Sequence, residues 1–385
     1  MKKKVLFVLP SFEVGGTTVS MKNLILLLDK NKYEIEVLAM ADTGNLQYLY
    51  DDVKQISTSF LLRSLTVASW RDHKSKVGQI VCGCIRFVSR ISSIKRLLLK
   101  LAAKMTIDSQ KYDVIAACQE GICTHFVSQI KCENKVAWVR CDYIRYMKEC
   151  QIDEKKIYAQ FKKIVCVSDI TKQKFCQVYP SYANKCWAIN NPQSGEFIKS
   201  QADVDDHESR FVNENIFTIV SIGRYNPIKR FNLIPKIASE LISKGLLFRW
   251  YIIGGGPKEE ELSVSNAIKK EGVEEIVIPL GIKTNPHYYI KNADLLVSLS
   301  SSEACPRVIN EAKILGTPVI CTNFDTAEEY IVNRESGFIG SLDEIGSLIA
   351  GVMQDRLKFQ YIVNNISSFS FENEDLLKKI DEVLS

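Results

Sequence analysis

The feature that most constrains the fold of this chain is an alternation of short apolar runs with helical patterns, which occurs twice along its 385 residues. Such alternation is typical of a parallel sheet covered by helices. The expected strands are residues 5–9, 34–39, 113–117, 135–139 and 164–167 in the first half, and 217–222, 248–253, 275–278, 293–299 and 318–321 in the second. The sequence therefore predicts an α/β protein with two Rossmann-like, doubly wound domains that face each other across a cleft.

The expected boundary between the domains lies near residue 195. The turn-forming run at 190–195 is followed by a stretch at 200–215 that is rich in Asp and Glu and poor in large apolar residues. A single core rarely grows beyond about 250–300 residues, so the length also favours two domains. We expect domains at 1–195 and 196–372, and an amphipathic helix at 373–385 that packs back toward the N-terminal domain.

The formal net charge of +5 is divided unevenly along the chain. Residues 1–200 carry an excess of Lys and Arg, whereas residues 201–385 carry an excess of Asp and Glu. A basic half favours an anionic surface such as lipid headgroups. Because a protein that wraps a polyanion is more often basic throughout, we expect no nucleic acid among the partners.

The start of the chain is basic, but its apolar run ends after five residues at Pro10, which favours a first buried strand over a signal peptide. No apolar stretch approaches the roughly 18–20 residues that a membrane span requires. We therefore expect a cytoplasmic protein that touches membranes only peripherally. The 12 cysteines are scattered, and we interpret them as buried free thiols rather than metal or disulfide sites.

A basic segment at residues 63–104 has two interpretations. A helical projection of 77–104 places apolar side chains on one face and basic side chains on the other, the latter being Arg86, Arg90, Arg96, Lys100 and Lys104. Either the helix covers the sheet with its apolar face and its basic back is solvated, or the basic face contacts an anionic membrane surface.

Two carboxylates, Glu303 and Glu311, stand eight residues apart and straddle Pro306, which can begin a helix. They follow the expected strand at 293–299, so Glu303 lies at the carboxyl end of a strand, where open α/β sheets bind ligands. A carboxylate in the loop can touch a reacting group while one further along the helix holds a neighbouring pair of hydroxyls. The spacing suggests a nucleotide-linked substrate.

A second candidate cluster follows the expected strand at 217–222, where Gly223, Arg224 and Lys229 open a helix. An arginine offers a fork of donors and a lysine offers a compact charge, a combination suited to a diphosphate. The alternative is that both side chains are solvated at a helix start.

Taken together, these motifs resemble those of the retaining glycosyltransferases of family 4, which have the GT-B fold and include enzymes of bacterial surface-polysaccharide synthesis. The motifs that carry the resemblance are Gly223 and Arg224 with Lys229, Gly254-Gly255-Gly256-Pro257, Glu303 through Pro306 to Glu311, Gly316-Thr317-Pro318, and the Gly15-Gly16 pair after the first strand.

The resemblance implies a role for each matching residue. Glu303, Arg224 and Lys229 would form the catalytic set, with Glu303 at the donor sugar and the two cations at its diphosphate. Glu311 would bind the ribose hydroxyls. The remaining donor-binding residues would be Gly15, Gly16, Gly223, Ala304 and Cys305, with Ile282 near the base. The resemblance also implies an acceptor-side N-terminal domain, a donor-side C-terminal domain, and no metal or other cofactor.

One segment departs from the family pattern. Arg140, after the strand at 135–139, stands where related enzymes often carry a histidine. An arginine cannot act as a base at neutral pH. Arg140 would therefore contact an anionic acceptor or serve the structure, and Asp142 becomes the nearer candidate for proton transfer.

The function implied is transfer of a sugar, with retention, from a nucleotide-diphosphate-sugar donor to a glycan or lipid-linked saccharide acceptor in cell-surface polysaccharide synthesis. Two alternatives stay open. One is a catalytically inactive GT-B-like binding or scaffold protein, which the Arg140 segment allows. The other is a different GT-B enzyme, such as a sugar-nucleotide epimerase.

Overall fold

The computed structural model describes residues 2–67, 75–205, 208, 210–211 and 216–385. Residues 68–74 of the basic segment, and residues 206–207, 209 and 212–215 of the expected linker, lie outside the described residues. The chain forms two compact units, Met1–Pro192 with Asn373–Ser385, and Gln193–Glu372. The N-terminal stretch of the first unit ends at Pro192, close to the boundary expected near residue 195.

The N-terminal unit is built on a seven-stranded parallel sheet with the order β3-β2-β1-β4-β5-β6-β7. Its strands are β1 (Lys3–Leu9), β2 (Tyr33–Ala39), β3 (Lys54–Gln55), β4 (Val114–Ala117), β5 (Asn134–Val139), β6 (Lys163–Cys166) and β7 (Cys186–Ala188). Its α-helices are α1 (Gly16–Leu27), α2 (Phe60–Thr66), α3 (Lys76–Val88), α4 (Ser92–Thr106), α5 (Ile122–Ser128), α6 (Tyr143–Cys150), α7 (Lys155–Tyr158), α8 (Asp169–Val178) and the C-terminal α17 (Glu374–Val383).

The C-terminal unit is built on a six-stranded parallel sheet with the order β10-β9-β8-β11-β12-β13. Its strands are β8 (Phe217–Ile222), β9 (Phe248–Ile253), β10 (Val277–Gly281), β11 (Leu295–Ser298), β12 (Val319–Thr322) and β13 (Phe338–Gly340). Its α-helices are α9 (Gly195–Ala202), α10 (Ile234–Ser243), α11 (Lys258–Glu271), α12 (His287–Lys291), α13 (Arg307–Leu315), α14 (Ala327–Tyr330), α15 (Ile345–Gln354) and α16 (Arg356–Ser367).

Both sheets have the strand order of the Rossmann fold, in which the order reverses beside the first strand. The reversal lies between β1 and β4 in one unit and between β8 and β11 in the other. At such a point two neighbouring loops diverge at the carboxyl ends of the strands and leave a crevice for a ligand. All ten expected strands are confirmed, and the sequence analysis missed three short ones, β3, β7 and β13.

Alternating side chains of each central strand supply the core on the two faces of its sheet. In the C-terminal unit, Ile219 of β8 belongs to one buried cluster and its neighbour Val220 belongs to another. Such continuous burial explains why the strands appear in the sequence as uninterrupted apolar runs rather than alternating patterns.

The single helix expected over 77–104 is wrong, because the segment forms two helices, α3 and α4, which are separated near Ser89 and Ile91. Of the two interpretations of its faces, the one in which the apolar face covers the sheet is wrong, because that face is exposed over much of its length. No helix among the described residues is long and apolar enough to cross a membrane.

Candidate functional site

The crevice beside β8 in the C-terminal unit brings together two of the predicted catalytic residues. Lys229 lies in the loop after β8 and Glu303 lies in the loop after β11, and the Lys229 Nζ forms an ion pair with the Glu303 Oε1. The backbone N–H of Ser301 donates to the carbonyl of Ile228 at 2.8 Å and joins the two loops. The side chains are 18% and 15% exposed, so solvent screens this pair only in part.

Neighbouring hydroxyl groups fix the loop that carries Glu303. The Ser300 hydroxyl donates to the Glu303 Oε1 at 2.6 Å, and the Thr326 hydroxyl donates to the Glu303 carbonyl at 2.9 Å. The Thr322 hydroxyl donates to the carbonyl of Ser300. The carboxylate is therefore held both through its own oxygen and through its backbone.

Glycines let the Lys229 loop pack closely. A Cβ at Gly223 would stand 3.0 Å from the Lys229 Cε, so the lysine stem lies across this glycine. Gly254, at the end of β9, has a φ of +141°, and a Cβ there would stand 1.8 Å from the Gly223 carbonyl oxygen. Only glycine fits at position 254, where the backbone of the loop after β9 packs directly against the backbone of the loop after β8.

Arg224 belongs to the same loop and its side chain is exposed. Its neighbour Tyr225 is buried, and the Tyr225 N–H donates to the Gly255 carbonyl at 2.9 Å. The Gly223 N–H donates to the Ile253 carbonyl at 3.0 Å, so the loop backbone is anchored on both sides of Arg224. An exposed arginine on an anchored loop is suited to binding an anion.

Glu311 has a different environment from Glu303. It lies on α13 with a side chain only 2% exposed, and its Oε1 pairs with the Arg307 guanidinium one turn earlier. The His287 Nε2 on α12 is 3.8 Å from the same oxygen, beyond hydrogen-bonding distance. Burial raises the pKa of Glu311, but the Arg307 charge and the nearby His287 outweigh it and lower the pKa to about 2.

The other donor-side candidates lie in loops at the same edge of the sheet. Ala304 and Cys305 are half-buried in the loop between Glu303 and α13. Ile282 is exposed just after β10, and it covers Gly255, where a Cβ would stand 2.7 Å from the Ile282 side chain. The structure therefore places all the C-terminal candidates, except the buried Glu311, along the loops that follow β8, β10 and β11.

The glycine pair of the N-terminal unit opens α1 at the carboxyl end of β1. Gly15 is the N-cap of α1 in extended backbone, and Gly16 is exposed with open space around its Cα. The Thr17 hydroxyl donates to the Gln119 Oε1 at 3.1 Å, which joins this turn to the loop after β4.

Arg140 holds the carboxyl edge of the N-terminal sheet together. Its Nε donates to the Cys118 carbonyl and its Nη1 to the Asn191 Oδ1, both at 2.6 Å, and its backbone N–H donates to the Glu120 Oε2 at 2.8 Å. These contacts link the ends of β4, β5 and β7, and they favour the structural interpretation of Arg140.

Asp142 also has structural partners. It caps α6 by accepting from the Arg145 N–H at 3.1 Å, and it accepts from the Lys174 Nζ at 2.6 Å. Burial raises the pKa of Asp142, but the hydrogen bond from Lys174 outweighs it and holds the pKa below the usual range. A carboxylate with a depressed pKa is a weak base, which disfavours proton transfer by Asp142.

The candidate site of the C-terminal unit lies within a segment that matches a known family. Residues 204–360 match the family model of glycosyl transferases group 1. The capsular polysaccharide biosynthesis glycosyltransferase CapM of Staphylococcus aureus is 25% identical over 210 residues, which cover 52% of this chain and 55% of CapM. An uncharacterized glycosyltransferase of Haemophilus influenzae is 26% identical over 136 residues, 35% of this chain and 38% of the relative. The chain thus matches about half or less of the length of these curated relatives.

Solved structures resemble the chain over its whole length. Anabaena Alr3699/HepE in complex with UDP-glucose has a TM-score of 0.75 at 17% identity, over 99% of both chains. A variant of Staphylococcus aureus TarM in complex with fondaparinux, α-GlcNAc-glycerol and UDP has a TM-score of 0.71 at 12% identity, over 100% of both chains. The fold of this chain is GT-B, as the sequence predicted.

Within this GT-B fold, three side chains near the candidate site were missed by the sequence analysis. Ser300 and Thr326 orient Glu303, and Arg307 pairs with Glu311. The spacing of Arg307 and Glu311 is a sequence signal for a helical ion pair. Ser300 stands in a run of serines, and Thr326 contacts Glu303 only through the tertiary fold, so neither has a comparable signal.

Proposed function

We propose that this protein is a retaining glycosyltransferase that moves a sugar from a nucleotide-diphosphate donor to a glycan or lipid-linked saccharide in cell-surface polysaccharide synthesis. The observation that carries the proposal is the Lys229–Glu303 ion pair at the topological switch point of the C-terminal sheet, within the residues that match the family model. Arg224 on the adjoining loop would supply the second cation.

The geometry supports different roles for the cations and for Glu303. Without a ligand, the Lys229 ammonium is neutralised by Glu303. A donor diphosphate carries a larger negative charge and competes for the ammonium, which frees Glu303 to accept hydrogen bonds from sugar hydroxyls. The cations would then stabilise the charge that develops on the leaving nucleotide, the largest electrostatic demand of the reaction.

No side chain in this proposal acts as a covalent nucleophile. The acceptor hydroxyl would attack from the face that the diphosphate leaves, and a phosphate oxygen would take its proton, so the configuration at the sugar is retained. The C–O bond to the diphosphate breaks as the new glycosidic bond forms. Because Lys229 and Arg224 supply the positive charge, we propose that transfer needs no metal.

Glu311 is buried, so ribose hydroxyls would have to approach its carboxylate on the side of α13 where Arg307 lies. We propose that its carboxylate, kept ionised by that guanidinium, accepts from the ribose while Arg307 holds it in place. Ile282 would lie beside the base, and Gly15 and Gly16 would let backbone approach the donor phosphate or sugar. Peripheral attachment at the cytoplasmic face of the cell membrane would bring a lipid-linked acceptor within reach.

The experiment is transfer of labelled sugar from a panel of nucleotide sugars, with UDP-sugars first because the structural neighbours include complexes with UDP and UDP-glucose. We expect Arg224→Ala and Lys229→Ala each to abolish transfer while the proteins remain folded. The matched control is Arg249→Ala, a half-buried cation on β9. Near-normal turnover in either test variant would contradict the diphosphate assignment, and donor binding without transfer by the wild type would favour a scaffold protein.

A further inference from the structure

Helix α3 exposes its apolar face, whereas an ordinary surface helix buries it. Its buried residue is Cys82, whose thiol contacts the Ser64 carbonyl of α2 at 3.6 Å. On the same side, the Arg86 Nη1 donates to the Val67 carbonyl at 2.7 Å. The face that α3 presents to the protein is therefore small, with Cys82 packed against Ala41 and Val67.

The opposite face of α3 is apolar and faces solvent. Val77, Ile80 and Phe87 are 72%, 67% and 69% exposed, and Val81 and Val88 are also exposed. These positions recur at three- and four-residue intervals, so they form one continuous stripe. A soluble helix normally buries such a stripe, because leaving it in water forgoes the hydrophobic stabilisation.

Helix α4 carries exposed apolar residues of its own. It buries Leu99, Ala102 and Ala103, while Leu97, Leu101 and Met105 remain exposed. Ile91, between the two helices, is exposed as well. We call the exposed residues Val77, Ile80, Val81, Phe87, Val88, Ile91, Leu97, Leu101 and Met105 the apolar helix surface. The α3 part of this surface is one continuous stripe, and a continuous exposed apolar stripe marks an interaction site.

The charge around the apolar helix surface identifies the partner. From Lys76 to Thr106 the chain has 7 Lys and Arg residues and no Asp or Glu. Five of these cations, Lys76, Arg90, Arg96, Lys100 and Lys104, are exposed. A second copy of this chain would bring like charges together, whereas an anionic bilayer offers both an apolar interior and negative headgroups.

We propose that α3 and α4 dock on a membrane that contains anionic lipid, with the apolar helix surface inserted at the boundary between headgroups and acyl chains. The exposed cations contact lipid phosphates at the rim of the inserted surface. Helices that lie in the membrane interface combine these two features. No residue of the apolar helix surface is among the donor-binding candidates, so substitutions on this surface leave those candidates unchanged.

Flotation of the full-length protein with vesicles tests the proposal without any sugar donor. We expect the protein to float with phosphatidylcholine vesicles that contain phosphatidylglycerol, and to bind pure phosphatidylcholine much more weakly. The double variant Ile80→Ser/Phe87→Ser removes two inserted side chains, and its partition coefficient should fall about a hundredfold. The matched control is Leu247→Ser/Leu357→Ser, since both leucines are exposed in the other unit.

A triple variant tests the electrostatic part. Arg96→Gln/Lys100→Gln/Lys104→Gln should bind the anionic vesicles about a hundredfold more weakly than the wild type, and added salt should reduce the difference. The control is Lys269→Gln/Lys270→Gln/Lys379→Gln, which removes as many exposed charges elsewhere. Because every substituted side chain in these variants is exposed, thermal unfolding should be nearly unchanged.

Three results would overturn the proposal. The first is equal flotation of the Ile80→Ser/Phe87→Ser variant and the wild type, and the second is no flotation of the wild type with anionic vesicles. The third is a lipid-free dimer in sedimentation that the Ile80→Ser/Phe87→Ser variant disperses, which would assign the surface to a second copy. None of these results bears on transfer to a soluble acceptor, so a failure here is distinguishable from a failure of the proposed activity.

Discussion

At the scale of single residues, the hydroxyl of Ser300 is expected to contribute to transfer by orienting the Glu303 carboxylate. Ser300→Ala removes the 2.6 Å hydrogen bond to Glu303, and a hydrogen bond to a charged group is worth about 1.5–3 kcal/mol. We expect kcat/KM for transfer to fall about ten- to a hundredfold. Ser301→Ala, which alters the adjacent exposed hydroxyl, is the control, and equal activities of the two variants would refute a positioning role for Ser300.

The buried Arg307–Glu311 pair is expected to make stability depend on pH. Removing one partner of a buried pair costs about 3–5 kcal/mol, so Arg307→Met should lower the free energy of unfolding of the C-terminal unit by that amount at pH 7. The lowered pKa of Glu311 means that this stabilisation is present above its unfolded pKa of about 4.3 and declines as the pH falls toward 2. Urea unfolding of wild type and variant at several pH values checks this, and a difference that grows on acidification would contradict it.

The sequence could predict residues that belong to local motifs, because the spacing of such residues can be read from the sequence itself. Lys229 and Glu303 were predicted to bind the same donor molecule, and the structure brings their side chains into contact. The contacts of Thr326 with Glu303 and of Arg140 with Asn191 join segments 23 and 51 residues apart. Such contacts depend on strand order and loop paths, which no local pattern encodes.

At the scale of elements, the contact between the β8 and β9 loops is expected to tolerate no side chain. Gly254→Ala would drive a Cβ into the Gly223 carbonyl oxygen, so the Lys229 loop must shift. We expect loss of transfer and a large drop in melting temperature. The control is Gly272→Ala, which has a left-handed φ of +65° but open space, and which should cost only about 1–2 kcal/mol. Similar losses in both variants would show that backbone strain alone decides the outcome.

The strands were predictable where burial on both faces makes a continuous apolar run, as in β8 and β11. The missed strands have only two or three residues and stand at sheet edges, so their sequences show little pattern. The sequence left the orientation of α3 open between two interpretations for another reason. A helical projection shows which residues share a face, but it does not show whether the apolar face packs on the sheet, and in α3 that face is exposed.

At the scale of the whole molecule, the last helix is expected to stabilise the unit in which the chain begins. Ile380 of α17 is buried, and the Lys3 Nζ donates to the Leu384 carbonyl at 3.3 Å. Ile380→Ala should cost about 2–5 kcal/mol. Hydrogen exchange should therefore quicken in β1 and β6 but not in β8 and β11, with exposed Leu357→Ala as the control. Faster exchange in both sheets would show that the two units unfold together.

The central claim is that a nucleoside diphosphate binds through Lys229 beside Glu303. The most direct test is calorimetric titration of UDP, GDP and ADP into the wild type and into Lys229→Ala, without metal. The account predicts that one of the three binds the wild type and that its affinity falls about a hundredfold in the variant, as expected for the loss of a charge-assisted contact worth about 3 kcal/mol. Equal affinity in both proteins, or no binding of any of the three to the wild type, would contradict it.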